Sequence, residues 1–249
     1  MTPSDELARA EASRSLATAL AGVGGFIDAS GFLVLFGLFT AHMSGNTTGL
    51  GVAIGTGDWS SALERFFVIP VFVLATAGGV AWIESATRRA RSVAARDRAI
   101  VAVLGAEIAA LLVFMVSGEL LRHDAGFVVD SAGFFLVGTA AATAMGLQNA
   151  ALRRVNVDSV HTTFVTGMLT EAAVALVTWW HVARDPEVAD EPERLHRART
   201  KALLDVSVWV TYLVGGCLGA LLVTRLGLGV VMLPVVVLVA VIVRIRRSR

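Results

Sequence analysis

The sequence predicts an all-α, polytopic membrane helical bundle of about six spans plus two re-entrant or broken helices, arranged as a 3+3 inverted repeat. Three observations carry that prediction: an apolar composition, the placement of arginines, and two polar stretches that resemble each other. The chain is 55% hydrophobic and only 16% charged, with a mean hydropathy of +0.71, whereas soluble domains carry about a quarter charged residues. A net charge of +1, with arginines confined to short flanking segments, excludes a basic nucleic-acid-binding face. Cys217 stands alone, so neither an intrachain disulfide nor a thiolate metal cluster forms. Met1 to Ser15 lacks a basic patch leading into a short apolar run and a small-residue cleavage site, so no cleaved signal peptide is expected.

A helix crossing roughly 30 Å of hydrocarbon needs about 20 apolar residues. Six stretches qualify: about Leu16 to Leu38, Phe66 to Ile83, Ile100 to Leu121, Gly133 to Leu152, Ala202 to Val223 and Gly229 to Val243. The polar stretches run from Phe39 to Gly49 and from His161 to Glu171. Each leads into a mildly apolar tail, Leu50 to Gly55 and Ala172 to Trp180, that hydropathy alone reads as a crossing or a half-helix. Charge decides between these readings. Arg88, Arg89, Arg91, Arg96 and Arg98 precede the third span, and Arg244, Arg246, Arg247 and Arg249 close the chain. Cytoplasmic loops concentrate such cations. Six crossings put both clusters on that side, with Arg153, Arg154 and the charged loop about 183–201, and leave only Arg65, Arg122 and Arg225 opposite. Eight crossings separate the clusters. The expected topology is therefore N-in and C-in, within one membrane domain spanning residues 1–249.

The polar stretches align hydroxyl for hydroxyl: Thr40 with Thr162, Ser44 with Thr166 and Thr48 with Thr170, with Gly45 matching Gly167. Upstream, Gly25-Phe26-Ile27-Asp28-Ala29 matches Gly146-Leu147-Gln148-Asn149-Ala150, and Gly78-Gly79 matches Gly215-Gly216. Repeat 1 then covers about 16–121 and repeat 2 about 133–246. Three spans per half is an odd number, so the halves are inverted, a plan that places broken helices near the midplane in many transporters.

The glycine-rich first span with Asp28, then Phe39, then Met43-Ser44-Gly45-Asn46, resembles the YoaK family, bacterial membrane proteins of unknown function. That family usually has threonine before Gly-Asn, and Ser44 keeps the hydroxyl. The resemblance covers most of the chain and implies a bacterial inner-membrane protein of about six spans without supplying a substrate.

An acid in mid-span costs several kcal/mol unless neutralised, hydrated or paired, and marks a functional candidate. Asp28 is that residue; its other reading is a hydrogen-bonded acid that locks helices together. Pairing the halves sets Asp28 and Asn46 opposite Asn149 and Glu171, with Gln148 nearby. Thr40, Ser44, Thr48, Thr162, Thr166 and Thr170 then form a hydroxyl collar, or else bond back to helix carbonyls. Gly45 and Gly167 let the chain turn and expose backbone. Such a lining suits a hydrated small solute, a proton or a cation better than a lipid. Helix N-termini favour an anion while carboxylates favour a cation, so the sign of the solute stays open.

His42 and His161 lie about one turn apart in the aligned frame, but HExxH, paired cysteines and carboxylates at ligand spacing are missing. A proton relay or a simple interfacial histidine fits better than a metal, and no cofactor or metal is expected. Glu107 is the other deeply placed acid, whereas Glu84 and Asp205 fall near span ends. The partners expected are the lipid bilayer and a small polar solute or ion, with self-association into a homo-oligomer allowed. The functional reading is a transporter or channel, proton coupling included. Its rivals are a non-transporting subunit for assembly or signalling and, less favoured, a membrane-embedded enzyme, for which no nucleophile has a recognisable partner.

Overall fold

The computed structural model describes residues 3–90, 92–123, 126–152, 165–182, 184 and 192–247. These form α1 (Pro3–Val34), α2 (Met43–Thr56), α3 (Trp59–Ala90), α4 (Val93–Leu121), α5 (Ala132–Leu152), α6 (Val165–Val182), α7 (Pro192–Leu226) and α8 (Met232–Arg247), with a 3-10 turn over Leu228–Val231 before α8. Six segments are long and apolar enough to cross a membrane: Ser15–Val34, Trp59–Ala90, Val93–Leu121, Ala132–Leu152, Arg199–Leu226 and Leu228–Arg247. They overlap the six predicted spans. The chain is a multi-pass membrane protein.

The first polar stretch breaks the chain as expected. α1 stops at Val34 rather than Leu38 because Phe36 and Gly37 take positive φ, 53° and 92°, a left-handed turn that ends a helix and disfavours a bulky side chain. Phe36 is held there by Phe127 and Phe134, with ring centroids at 5.9 and 6.4 Å. α2 has 14 residues and so rises about 21 Å, short of a crossing. Gly57, with φ 76°, closes α2 by donating to the carbonyls of Ala53 and Ile54. Asp58 then caps α3: its carboxylate accepts from Ser61 at 3.2 Å, and the Ser61 hydrogen bonds hold that carboxyl below its ordinary range.

Bonds between span ends fix which ends share a face. Arg244 near the end of α8 donates to Ser15 at the start of the first span, which an even number of crossings requires. Ser60 at the start of α3 donates to Asp130 just before α5. Glu119, near the end of α4, pairs with Arg122 at 2.9 Å and accepts from the Leu228 amide at 2.8 Å, joining α4 to the α7–α8 turn.

α1 packs on α7 and α5 on α3, while α2 lies along α3, α6 along α7, and α4 bridges α3 and α5. The main core gathers Leu104, Leu111, Phe114, Phe134 and Met145, all fully buried. Large apolar side chains such as Leu74, Trp82 and Leu120 are exposed, as lipid contact demands of the outer surface. Polar side chains go inward instead: Asp28, Ser30, Thr40, Asn46, Glu107, Gln148, Asn149 and Asp205 are buried. Asp205, expected near a span end, is thus enclosed, and its Oδ2 lacks a partner among the described residues.

Candidate functional site

The break between α1 and α2 folds back onto α1 at the level of Asp28. Oδ1 of Asp28 accepts from the Thr40 amide at 2.8 Å, the Thr40 hydroxyl at 2.9 Å and the Ala41 amide at 2.8 Å. Oδ2 meets Nδ1 of His42 and accepts from the Tyr212 hydroxyl at 3.0 Å. The Tyr212 oxygen also lies 3.2 Å from His42 Nδ1. The carboxylate is thus held by several donors where the chain approaches α2, a helix end that attracts negative charge.

Asn46 holds the fold-back in shape. Its Nδ2 donates to the Phe39 carbonyl at 2.7 Å, and its Oδ1 accepts from the Phe39 amide at 3.2 Å. Buried as it is, Asn46 is a clamp for the Phe39–His42 segment. Gly45 faces the Phe39 ring, where a Cβ would come within 2.9 Å of it, so glycine lets that ring settle on α2. Gly31 serves the same end on α1, lying under the Thr40 methyl.

Among the described residues Thr40 is the hydroxyl of the expected collar that meets Asp28. Thr40 is buried and bonded to it, but Ser44 and Thr48 are exposed. Ser44 and Thr48 stand one turn apart on α2 and share a face; Asn46, between them in sequence, takes the inward face. Thr162 falls outside the described residues, and so does the side chain of Thr166. Thr170 is exposed on α6, the helix that carries Gly167.

Nor does Glu171 face Asp28. Its Oε2 accepts from Lys201 Nζ at 2.7 Å on α7. Lys201 precedes Tyr212 by eleven positions, about 16 Å along a helix, so Glu171 belongs to another level of the bundle. Gln148 donates to the Leu20 carbonyl at 3.1 Å across the α5–α1 contact, and its Oε1 has no partner among the described residues. Asn149 is buried one position on. Neither oxygen of the fully buried Glu107 is bonded among the described residues.

Tyr212 completes the cluster and did not figure in the sequence reading. It is the chain's only tyrosine, and a phenol in mid-span needs a partner for its hydroxyl when buried. That signal was present. Its approach to α1 depends on glycine: a Cβ on Gly25 would collide with the Tyr212 carbonyl, and one on Gly215 with the Gly22 carbonyl. Close backbone approach through small residues is the usual device of membrane helices.

A cleft of about 470 Å³ opens beside the cluster between α1 and α7. Asp28, His42 and Tyr212 lie at its polar end, and Phe32, Leu33, Trp209 and Leu213 form apolar walls. Among the described residues no group of three or more histidine, cysteine, aspartate or glutamate side chains is placed to hold a metal. Chemically, the arrangement offers one imidazole, oriented by a buried carboxylate through Nδ1, with its other nitrogen directed away from that bond.

The family model of DUF1275, described as a protein of unknown function, matches residues 16–244, and the chain belongs to that family. This agrees with the YoaK resemblance, since YoaK is a DUF1275 member. No curated protein and no solved structure matches the chain.

Proposed function

We propose that this DUF1275 member moves a small solute or ion across the bacterial inner membrane, with Asp28, His42 and Tyr212 as the site that binds it and handles a proton. The observation that carries the reading is the carboxylate buried within a span and held by Thr40, Ala41, His42 and Tyr212. Transporters place ionisable groups at such positions and build the site on interrupted helices. His42 takes a proton on Nε2 while Asp28 offsets the imidazolium, so proton uptake and solute binding meet on one ring.

The helix crossings support an inverted repeat. Gly25 of α1 meets the Tyr212 carbonyl and the Gly216 amide of α7; Gly146 of α5 meets the Phe72 carbonyl and the Thr76 amide of α3. In both cases the partner positions are four apart. Gly219 lies against Phe26, and Gly79 against Leu147 and Ala150, so Gly219 answers Gly79, three residues on from the Gly215-Gly216 match. Arginine placement supports cytoplasmic termini.

The test is flux into proteoliposomes of purified protein across a panel of ions and small metabolites, with an internal pH dye. Flux that Asp28→Asn reduces tenfold or more is the expected result; absence of flux for every solute defeats the reading. A second reading is a non-transporting subunit for assembly or signalling, in which a face such as that of Gly51 and Gly55, without neighbours within 4 Å among the described residues, meets another helix. Efficient copy-to-copy crosslinking of Gly51→Cys, with no flux, favours it.

A further inference from the structure

The cleft's walls and its polar end call for different parts of one ligand. Phe32, Leu33 and Leu213 are 38%, 44% and 48% exposed on helices that span the membrane, so the mouth of the cleft faces hydrocarbon. Its volume, about 470 Å³, falls in the usual range for small-molecule sites. At the polar end the Asp28 oxygens already meet donors from Thr40, Ala41, His42 and Tyr212. His42 is engaged through Nδ1, with its side chain 22% exposed, which leaves Nε2 as the atom a ligand can address.

The wall next to that nitrogen is aromatic. Phe32 and Phe39 stand 4.8 Å apart between centroids, Phe39 and His42 5.5 Å, and His42 and Tyr212 5.6 Å. Rings at such spacings add attraction to a further ring beyond the area they bury. A highly charged or many-hydroxyl solute finds no second set of partners on these walls, and an apolar molecule leaves His42 unaddressed.

Resting on the transport reading of the same site, we infer that the ligand is a membrane-dissolved phenol-class amphiphile that reaches the cleft from the bilayer. Its ring lies against Phe32, Phe39 and Trp209, and its hydroxyl donates to His42 Nε2. A phenol is also a weak acid: when its O–H bond breaks, the proton forms an N–H bond at Nε2, giving phenolate and an imidazolium paired with Asp28.

The experiment uses the full chain in nanodiscs with Trp59, Trp82, Trp179 and Trp180 replaced by phenylalanine, so that Trp209 reports from the cleft. Para-hexylphenol should quench it saturably, with hexylbenzene binding at least tenfold more weakly. His42→Ala should weaken phenol binding about tenfold, the scale of one net hydrogen bond. Ala220→Leu, which narrows the cleft without touching a polar atom, should abolish saturation. Equal binding of the two probes overturns the inference, as does unchanged affinity in a monodisperse His42→Ala; should that variant not fold, unchanged affinity in Ala220→Leu does the same. Solute flux that depends on Asp28, together with equal binding of both probes, overturns the ligand class and spares transport. Selective phenol binding without flux of any solute, the phenol included, overturns transport and spares the ligand class.

Discussion

The crossing of α1 over α7 and the crossing of α5 over α3 share a scaffold and differ in chemistry. Each brings a glycine against a helix carbonyl, Gly25 against Tyr212 and Gly146 against Phe72. Three residues beyond that glycine stands Asp28 in one and Asn149 in the other. Where the first crossing has a carboxylate, a phenol and an imidazole joined, the second has an amide and a phenyl ring, and its cross-helix bond is Thr76 Oγ1 to the Gly146 carbonyl at 3.1 Å. Close packing is therefore common to both halves, while titratable groups are gathered at one. The contrast separates packing shared by the two crossings from the polar chemistry found at one of them.

Four experiments press on that contrast. The largest effect is expected for Asp28→Ala, which strands the Thr40 and Ala41 amides and should cost on the order of 3–5 kcal/mol, as loss of a buried charged partner does. Asn149→Ala should cost about 1 kcal/mol, the centre of the range for single substitutions; equal losses in thermal unfolding of the two variants would remove the distinction between the crossings. Next, Gly25→Ala and Gly146→Ala should both destabilise, by about 1–3 kcal/mol from overpacking, but only the first should also diminish flux. Equal flux in the two variants would detach Tyr212 from function. Tyr212→Phe should cost about 1 kcal/mol and weaken Asp28-dependent flux, with thermal midpoint and flux measured on the same preparation. Last, Ser44→Ala and Thr48→Ala should shift stability by less than about 0.5 kcal/mol and leave flux unchanged. A marked flux loss in either would restore a hydroxyl-lined path along α2.

Much of this was legible in sequence because membrane solvation writes it there. The six spans follow from apolar length, the break after the first span from a run of polar and glycine residues, and Asp28 from the cost of a carboxylate in hydrocarbon. The places of Ser44 and Thr48 were misread for a geometric reason. Ser44 and Thr48 share a helical face, but sequence does not say that Asn46 takes the inward one. Glu171 was assigned inward on a repeat match, whereas Lys201, thirty residues later, holds it. Tyr212 escaped notice because its partner lies 184 positions away, and a tyrosine within a span reads as an interfacial anchor until its partner is known.

Consider finally the single phenol bond that ties α7 to α1. It lies where the two main chains touch, so any rocking of one helix against the other must first unfasten it. Asp28 Oδ2 is then one donor short, inside a site whose carboxylate is 4% exposed. Tyr212 is in this sense a seam between the helices: Asp28 keeps its full set of donors only while α7 stays seated on α1.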